Sequence, residues 1–420
     1  MKKPISLDFI IIFLFGFYFL ISWASSKILF FIIFFVFCFI YLLIDYKLTT
    51  FQKEKQKNNY LNFKKVLFFI IIFYLLTVSV VWHSFLRAEN RDLIVHDNIQ
   101  QIEPAVKFLI QGKNPYEEDY FNTELIKTQY IKTTQGEVLF NNSLYHLISL
   151  PFHTLVSVPF YYLFNATLGF YDQRLVYLIF FIVSLFALFS LPKTKQNKFS
   201  LTAFYALNPL FFNFFVFGRN DVLVLSFIIF IIYFLKNKKI MLASSMLAFA
   251  CTVKHSAFFI VPFFYSYLYF VLDKNYTFLK KVKSLILQTW IFPVIFLIII
   301  LPFVFWNPIA FYDDTFRYPA GTIETSYPIN GYGFSVLLYK LGYVKNLTDY
   351  LPLWMVQLPI TLVALFFLIK FQKKENNLSV VVLNFTFLIL IYWFFSRFFH
   401  DNYIGFASQM FLIAYFINDD

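Results

Sequence analysis

The chain of 420 residues is poor in charge: only 14% of its residues are Asp, Glu, Lys or Arg, whereas 60% are hydrophobic. A soluble domain needs a more polar surface than this, so the ratio excludes a soluble globular protein. Apolar runs of about 17–22 residues recur along the chain and match the thickness of a bilayer core. The composition predicts an all-α, polytopic integral membrane protein with about 12 transmembrane helices.

Cysteine and the common catalytic motifs are also scarce. Cys38 and Cys251 both fall in apolar stretches, so they predict neither a disulfide framework nor a metal site. The chain has no Gly-rich phosphate loop, no Cys/His metal spacing and no Gly-x-Ser-x-Gly turn. Asp313-Asp314 is a lone acidic pair that does not match the Asp-x-Asp metal motif of nucleotide-sugar transferases. We therefore expect no metal and no cofactor.

The net charge of +12 comes from Lys residues that are concentrated in short connections between apolar runs. In a soluble protein this excess would suggest a nucleic-acid partner, but the positive-inside rule explains it better here, so none is expected. Placing these connections in the cytosol predicts a multi-pass cell-membrane protein with both termini cytoplasmic. The predicted spans are about 5–23, 28–45, 66–82, 174–191, 201–217, 220–235, 240–253, 256–272, 285–305, 350–370, 378–396 and 403–417.

The segments with mixed polar chemistry then all face the outer side. They comprise two long loops, 83–173 and 306–349, and three short turns. We expect two accessory helices and a basic cytoplasmic loop at 1–65, followed by a transmembrane domain at 66–420 that carries both loops.

Residues 143–165 are long enough to span, which would invert every later Lys-rich connection. Pro151 and Pro159 are expected to break a helix there, and His146 and His153 are awkward in contact with lipid. We therefore favour a surface or re-entrant helix, with a full span as the alternative.

The first outer loop carries acids soon after the third span. Asp97 is the first choice for a general base, because partial desolvation can raise a carboxylate pKa toward the working pH. His96 would tune it or relay a proton, Glu103 would orient an acceptor, and Asp92 is a further acid. Residues 99–111 show the apolar spacing of an interfacial helix. The alternative is that these acids are ordinary solvated loop residues.

The three short outer turns carry cations or imidazoles, against the usual charge bias. Such groups near a membrane tend to be functional, and three turns together could bind one anionic headgroup. The alternative is a set of local ion pairs, Arg219 with Asp221 and Arg397 with Asp401. The candidate phosphate-binding residues are Arg219, Lys254, His255, Arg397 and His400.

The second outer loop contains Tyr-Pro-Ile-Asn-Gly-Tyr-Gly at 327–333. Tyr327, Asn330 and Tyr332 could contact a sugar, because aromatic faces stack on the apolar side of pyranose rings. The Pro and Gly residues are equally consistent with simple turns.

Taken in order, these motifs resemble the polytopic glycosyltransferases of the C superfamily, and within it a mannosyltransferase-type family formerly described as a domain of unknown function. The similarity covers roughly residues 66–420; the two spans before residue 66 are extra. The motifs that carry it are His96-Asp97-Asn98 with Gln101 and Glu103, Gly112-Lys113-Asn114-Pro115-Tyr116, Leu144-Tyr145-His146 leading to Pro151-Phe152, Asn208-Pro209, Gly218-Arg219-Asn220-Asp221, and Ala250 with Lys254.

The resemblance implies a polyprenyl-phosphate-sugar donor and an acidic general base in the first outer loop, here Asp97. Arg219 and Lys254 would lie near the donor phosphate. Family members use different sugars, so mannose does not carry over. The expected partners are the bilayer, the lipid-linked donor and a glycan or glycolipid acceptor. The expected substrate-binding residues are Asn114, Tyr116, Tyr145, His146 and Asp221, with Tyr327, Asn330 and Tyr332.

We therefore expect an integral membrane hexosyltransferase that acts by a single, inverting displacement on the extracytoplasmic face. Stabilisation of the departing phosphate by cations would be a large catalytic term and would make a metal unnecessary. The alternatives are a transporter or flippase and a polymerase or ligase for lipid-linked saccharides. Against transport, the sequence shows no inverted repeat and no matching pair of broken helices.

Overall fold

The computed structural model describes residues 5–24, 27–50, 54–90 and 95–418 of the chain. It is an all-α structure, as predicted, with two short strand pairs outside the helices. The helices are α1 Leu7–Ala24, α2 Ile28–Thr50, α3 Glu54–Leu76, α4 Trp82–Ala88, α5 Asp97–Ile110, α6 Pro151–Leu168, α7 Gln173–Phe189, α8 Lys195–Leu207, α9 Pro209–Phe217, α10 Asp221–Lys236, α11 Ile240–Val253, α12 Val261–Val271, α13 Phe278–Thr289, α14 Ile291–Trp306, α15 Pro308–Tyr312, α16 Tyr318–Ala320, α17 Phe334–Lys340, α18 Trp354–Lys374, α19 Leu378–Phe394 and α20 Asp401–Ile417.

Shorter elements connect these helices. A π-helical turn at Thr77–Val81 joins α3 to α4, and a second at Asp313–Arg317 joins α15 to α16. Antiparallel strands β1 Tyr130–Lys132 and β2 Val138–Phe140 form a hairpin, and β3 Asn330–Gly331 pairs in parallel with β4 Phe398–Phe399.

Within the described residues, four helices are long and apolar enough to cross a membrane, and up to seven if each of three bent pairs is one span. The bends are 108° between α6 and α7, 47° between α8 and α9, and 54° between α13 and α14. Three further apolar helices are only 10–17 residues long. These features agree with a polytopic membrane protein, while the count of about 12 spans stays a prediction.

The segment at 143–168 differs from the sequence expectation. Pro151 does not break a helix; it begins α6, in the first turn where a missing N–H costs nothing. Pro159 lies inside the same continuous helix. His153 does not face lipid but is fully buried, with its ring nitrogens 3.1 Å from Ser149 Oγ and 2.7 Å from the Tyr177 hydroxyl.

The expected loop at 46–65 is also mostly helical, because α2 extends to Thr50 and α3 begins at Glu54. Lys, Glu and Gln are good helix formers, so the polar connection continues the two helices. The predicted domain boundary at 65/66 therefore falls inside α3. Next to it, buried Lys64 lies 2.8 Å from Asp8 and 2.6 Å from Asp45, which joins α1, α2 and α3.

Candidate active site

His96 and Asp97 form the start of α5, where the sequence predicted an amphipathic helix. The amide of His96 donates to the carbonyl of Phe217 at 2.8 Å, which fixes this start against the end of α9. His96 Nδ1 lies 2.5 Å from Asp97 Oδ1 and 3.1 Å from the Asn98 amide. The shorter contact requires a shared proton, so His96 donates to Asp97 and the Asn98 contact is secondary.

The Asp97 side chain is 29% exposed, so it is open to a substrate. Burial alone would raise the pKa of Asp97, but the charge and hydrogen bond of His96 and the charge of Arg219 hold that pKa below its ordinary value. The expected raised pKa is therefore wrong, because the sequence did not reveal the cations beside the carboxyl group. Asp97 is ionised at neutral pH.

Gly218 brings Arg219 to this carboxylate. It ends α9 in the left-handed region, with φ at +94°, and a Cβ there would lie 2.3 Å from Ile99 Cγ1. Only glycine satisfies both the backbone angle and the close approach. Gly218 is thus required for packing the turn after α9, which carries Arg219, against α5.

The three outer turns meet in one hydrogen-bonded network. Arg219 Nη1 donates to Asn402 Oδ1 at 2.6 Å, and Asn402 Nδ2 donates to Asp221 Oδ2 at 2.6 Å. Asp221 Oδ1 pairs with Lys254 Nζ at 2.6 Å, and Asn220 Oδ1 accepts from the same ammonium at 3.1 Å. The predicted local pair of Arg219 with Asp221 is replaced by this longer circuit.

A cavity of about 330 Å³ adjoins this network. Asn220, Lys254 and His255 line its polar part, while its apolar part includes Phe259 and Trp354. Trp354 begins α18, only 6% of whose apolar window is buried. The cavity therefore connects the cationic network with a helix that is open to lipid.

Two of the predicted phosphate-binding residues carry a buried nitrogen without a hydrogen-bond partner among the described residues. These atoms are Arg219 Nε and His255 Nε2. Buried polar atoms are normally paired, because an unpaired one costs the full desolvation of that group. Of the two residues, His255 lines the cavity, and its Nε2 would donate to a ligand oxygen there when it carries the proton.

His400 lies in the turn before α20, and its Nε2 is 3.3 Å from the Tyr327 hydroxyl. Burial, with the neighbouring charges of Arg219 and His96, lowers the pKa of His400 to about 3. His400 is neutral at neutral pH, so it offers a hydrogen bond and not the positive charge expected from sequence.

Arg397 lines the cavity, but its guanidinium is engaged by the backbone. Nε donates to the carbonyl of Tyr327 at 2.5 Å and Nη1 to that of Asp349 at 2.8 Å. Nη2 donates to the carbonyls of Leu347 and Thr348 at 3.3 and 3.2 Å. Arg397 thus fixes the second outer loop, in place of the expected phosphate contact or pair with Asp401.

His146 and Asp314 form a second buried acid–imidazole pair. His146 Nδ1 lies 2.6 Å from Asp314 Oδ1, and Nε2 lies 2.6 Å from Thr325 Oγ1. The amide of Leu147 donates to Asp314 Oδ2 at 2.7 Å. Burial raises the pKa of Asp314, against the opposing hydrogen bond of His146. The pair joins the two outer loops.

Glu103 lies apart from Asp97. Arg87 Nη1 and Nη2 donate to its two carboxylate oxygens at 2.9 and 2.8 Å, and the amide of Gln173 donates to Oε1 at 2.9 Å. These bonds fasten α5 to α4 and α7, so they favour a structural role. Asp92 lies outside the described residues.

The remaining candidates divide into buried and exposed groups. Buried Asn114 accepts from the Tyr116 amide at 3.2 Å, and the Tyr116 hydroxyl donates to the Ser149 carbonyl at 2.8 Å. Asn330 is also buried and accepts from the Thr134 amide at 3.0 Å. In contrast, Tyr145 and Tyr332 are 43% and 65% exposed. Tyr332 presents the more open ring of the two, because the ring of Tyr145 packs edge-on against that of Phe121 at 4.9 Å.

Sequence reasoning missed Asn402 and Asp314. Asn402 follows His400-Asp401 in a turn already singled out, and it is the group that links Arg219 to Asp221. Asp314 was dismissed because it was read only as half of a metal motif. No group of three or more His, Cys, Asp or Glu side chains suited to a metal is found in the described parts of the chain.

Fold and site together define a polytopic membrane protein with an acid, an imidazole and cations gathered beside a cavity that adjoins the exposed apolar helix α18. The model of glycosyltransferase family 87 matches residues 150–392, more than half of the chain. The chain therefore belongs to glycosyltransferase family 87 and is a membrane glycosyltransferase. No curated protein matches the sequence.

The family match has a definite extent relative to the site. It includes Arg219, Asp221, Lys254 and the wall of the cavity up to Tyr392. Asp97 precedes it and Asn402 follows it. The family match therefore spans the turns that carry Arg219 and Lys254, but not Asp97.

Proposed function

We propose that this protein transfers a sugar from a polyprenyl-phosphate donor to a hydroxyl acceptor, with inversion, on the extracytoplasmic face of the cell membrane. The observation that carries the proposal is the network that links Arg219 to Lys254, near the Asp97 carboxylate and beside a cavity that adjoins the exposed apolar helix α18. The outward orientation, with cytoplasmic termini, follows from the Lys-rich connections. Residues 66–420 would form the transferase domain and residues 1–65 an accessory part.

The donor phosphate would lie at the polar end of the cavity. Lys254 has three N–H groups, of which Asp221 and Asn220 engage two. Among the predicted phosphate-binding residues, Arg219 and His255 each carry a buried nitrogen without a hydrogen-bond partner in the described part of the chain. The prenyl chain would follow the apolar wall toward α18, where few side chains are covered by protein.

Asp97 would act as the general base. It accepts the proton of the acceptor hydroxyl while that oxygen attacks the anomeric carbon, and the bond from this carbon to the phosphate oxygen breaks on the opposite face. His96 donates its Nδ1 proton to Asp97 and so holds this carboxylate ionised, and the proton that Asp97 takes up leaves to water afterwards. Lys254 and Arg219 would stabilise the charge that develops on the phosphate, so no metal is needed.

A reconstituted transfer assay tests this function. Purified protein is given a polyprenyl-phosphate sugar with a labelled sugar, with mannose and glucose as the first two donors, together with cell-envelope glycolipids as acceptors. We expect covalent transfer that survives EDTA and that Asp97→Asn lowers by at least 1,000-fold, while Glu117→Gln, at an exposed acid in the same loop, keeps full activity.

Other outcomes would redirect the proposal. Movement of the donor across the bilayer without covalent transfer would favour a flippase. Growth of a long glycan on the lipid would favour a polymerase. Full activity of Asp97→Asn would reject the assigned base.

A further inference from the structure

A second polar cavity, of about 420 Å³, lies between α3 and α8, far from the candidate active site. We name it the lysine cavity; the side chains used here are Lys65, Lys195, Lys198, Asn58 and Asn62. Lys65 lies on α3, which continues through a π-helical turn into α4. Arg87, near the end of α4, binds Glu103 on α5. The distance from Lys65 to Arg87 is roughly 30 Å at 1.5 Å per residue, about one bilayer core.

The lysine cavity is built by two helix faces. On α3, Asn58, Leu61, Asn62 and Lys65 follow one another at spacings of three, one and three residues, so they share one face. On α8, Lys195 and Lys198 are three residues apart and lie on the facing surface. Three ammonium groups therefore surround one concave space.

None of these three lysines pairs with a carboxylate in the described part of the chain. Lys195 Nζ contacts Asn58 Oδ1 at 3.5 Å, and Lys65 Nζ lies over the ring of Phe189 at 5.1 Å. The adjacent Lys64 is the opposite case, because it is buried between Asp8 and Asp45. The positive charge of the cavity is thus left without an acid.

The placement of the lysines on α8 is unfavourable without an anion. Lys195 is the first residue of this helix and Lys198 lies one turn later, and the first turn contains no acid. Cations at a helix N-terminus oppose the macrodipole, whereas phosphate groups are bound there. The positive-inside rule explains why lysines lie on this side, but not why they converge.

We propose that the lysine cavity binds the phosphate headgroup of an anionic membrane lipid. Lys65, Lys195 and Lys198 would contact the phosphate, and Asn58 and Asn62 would hydrogen-bond the polar part of the headgroup. A lipid is favoured over a free phosphate because the lining of the cavity also includes two apolar side chains, Phe189 and Phe199, which an acyl chain could contact. The site is independent of the transfer reaction.

Native mass spectrometry of the full-length protein in detergent tests this site. Phosphatidylglycerol and phosphatidylcholine are added in equal amounts, and the bound fraction of each is measured. We expect preferential retention of phosphatidylglycerol. Changing each lysine to Gln should weaken it roughly fivefold, and Lys65→Gln/Lys195→Gln/Lys198→Gln should weaken it by about 100-fold.

The matched control is Lys280→Gln/Lys281→Gln/Lys283→Gln on α13, which removes the same charge outside the cavity. The control should retain phosphatidylglycerol within twofold of the wild type. An equal loss in the control would overturn the site, because general surface charge would then explain binding. Equal retention of both lipids, or displacement of phosphatidylglycerol by equimolar inorganic phosphate, would also overturn it. The single variants keep the test valid if the triple variant does not fold.

Discussion

Lys254 Nζ lies 2.6 Å from Asp221 Oδ1, an ion pair between the end of α11 and the start of α10. The carboxylate is almost fully buried, while the lysine side chain is 23% exposed. The pair thus connects the protein interior with the cavity. We propose that Lys254 serves both folding and anion binding, and variants can separate the two roles.

Lys254→Met leaves the buried Asp221 carboxylate without its cation. Breaking a buried pair from one side costs roughly 3–5 kcal/mol, and the partial exposure of Lys254 reduces the expected loss to roughly 2 kcal/mol. The double variant Lys254→Met/Asp221→Asn should recover most of this stability without recovering transfer. Thermal unfolding in detergent measures the stability, and a transfer assay measures the activity of the same variants. Recovery of transfer in the double variant would show that Lys254 does not bind the donor phosphate.

Gly218→Ala tests how the site is positioned. The substitution places a Cβ 2.3 Å from Ile99 Cγ1 at a φ of +94°, so both overlap and backbone strain result. We expect a loss of roughly 3 kcal/mol in the free energy of unfolding. Gly169→Ala is the control, since its φ is +78° but nothing lies within 4 Å, and it should cost only about 1 kcal/mol. Equal costs would show that Ile99 does not constrain the turn.

Glu103→Gln and Asp97→Asn should fail in different ways. Glu103 is paired with Arg87 in a buried contact, so Glu103→Gln should lower stability by roughly 2–4 kcal/mol and leave the specific activity of folded protein within threefold. Asp97→Asn should change stability by less and abolish transfer. The measurement is transfer activity per folded molecule. Loss of activity in Glu103→Gln together with retained activity in Asp97→Asn would show that Glu103, and not Asp97, is the general base.

His400 predicts an acid-sensitive stability. Its pKa is lowered from 6.5 to about 3 in the folded chain, because burial and nearby cations disfavour the charged ring. A lowered histidine pKa contributes stability that is complete above 6.5 and is lost as pH falls toward 3. Between pH 7.5 and 5, unfolding curves of His400→Gln should show a loss of stability that is smaller than that of the wild type by up to about 2 kcal/mol. Identical pH dependence in both proteins would contradict this.

Arg397→Lys should destabilise the second outer loop. A lysine cannot bond the carbonyls of Tyr327, Asp349, Leu347 and Thr348 together, whereas the planar guanidinium does. We expect a loss of roughly 3 kcal/mol. The measurement is hydrogen exchange, which should become faster at residues 321–349 of the variant and stay unchanged in α3. An equal increase in both segments would show that Arg397 does not specifically stabilise the second outer loop.

The all-α membrane fold could be predicted from the sequence, because a bilayer limits the length of its helices and confines most charged residues to their ends. The amphipathic helix predicted at 99–111 is confirmed as α5, Asp97–Ile110. The bent pairs and the helix through Pro159 were not accessible, because tertiary packing decides where an apolar run bends. The polar connection near residue 54 was taken as a loop because charge was read as a stop signal.

Several residues of the candidate site were selected from the sequence, but the side chains and carbonyl groups that they contact were not. Asp97 and Arg219 were chosen separately, and the structure brings their charges within interaction range. The engagement of Arg397 by backbone carbonyls leaves no trace in sequence, since any loop supplies carbonyl groups. Asn402 and Asp314 act through side chains more than 160 residues away, which a local pattern cannot reveal.

The most direct test of the central claim, that Asp97 and Lys254 serve one lipid-phosphate donor, is donor binding measured beside single-turnover transfer. Binding of a polyprenyl monophosphate should weaken at least tenfold in Lys254→Met and stay within twofold in Asp97→Asn, while both variants lose transfer. Unchanged binding in Lys254→Met, or retained transfer in Asp97→Asn, would contradict the account.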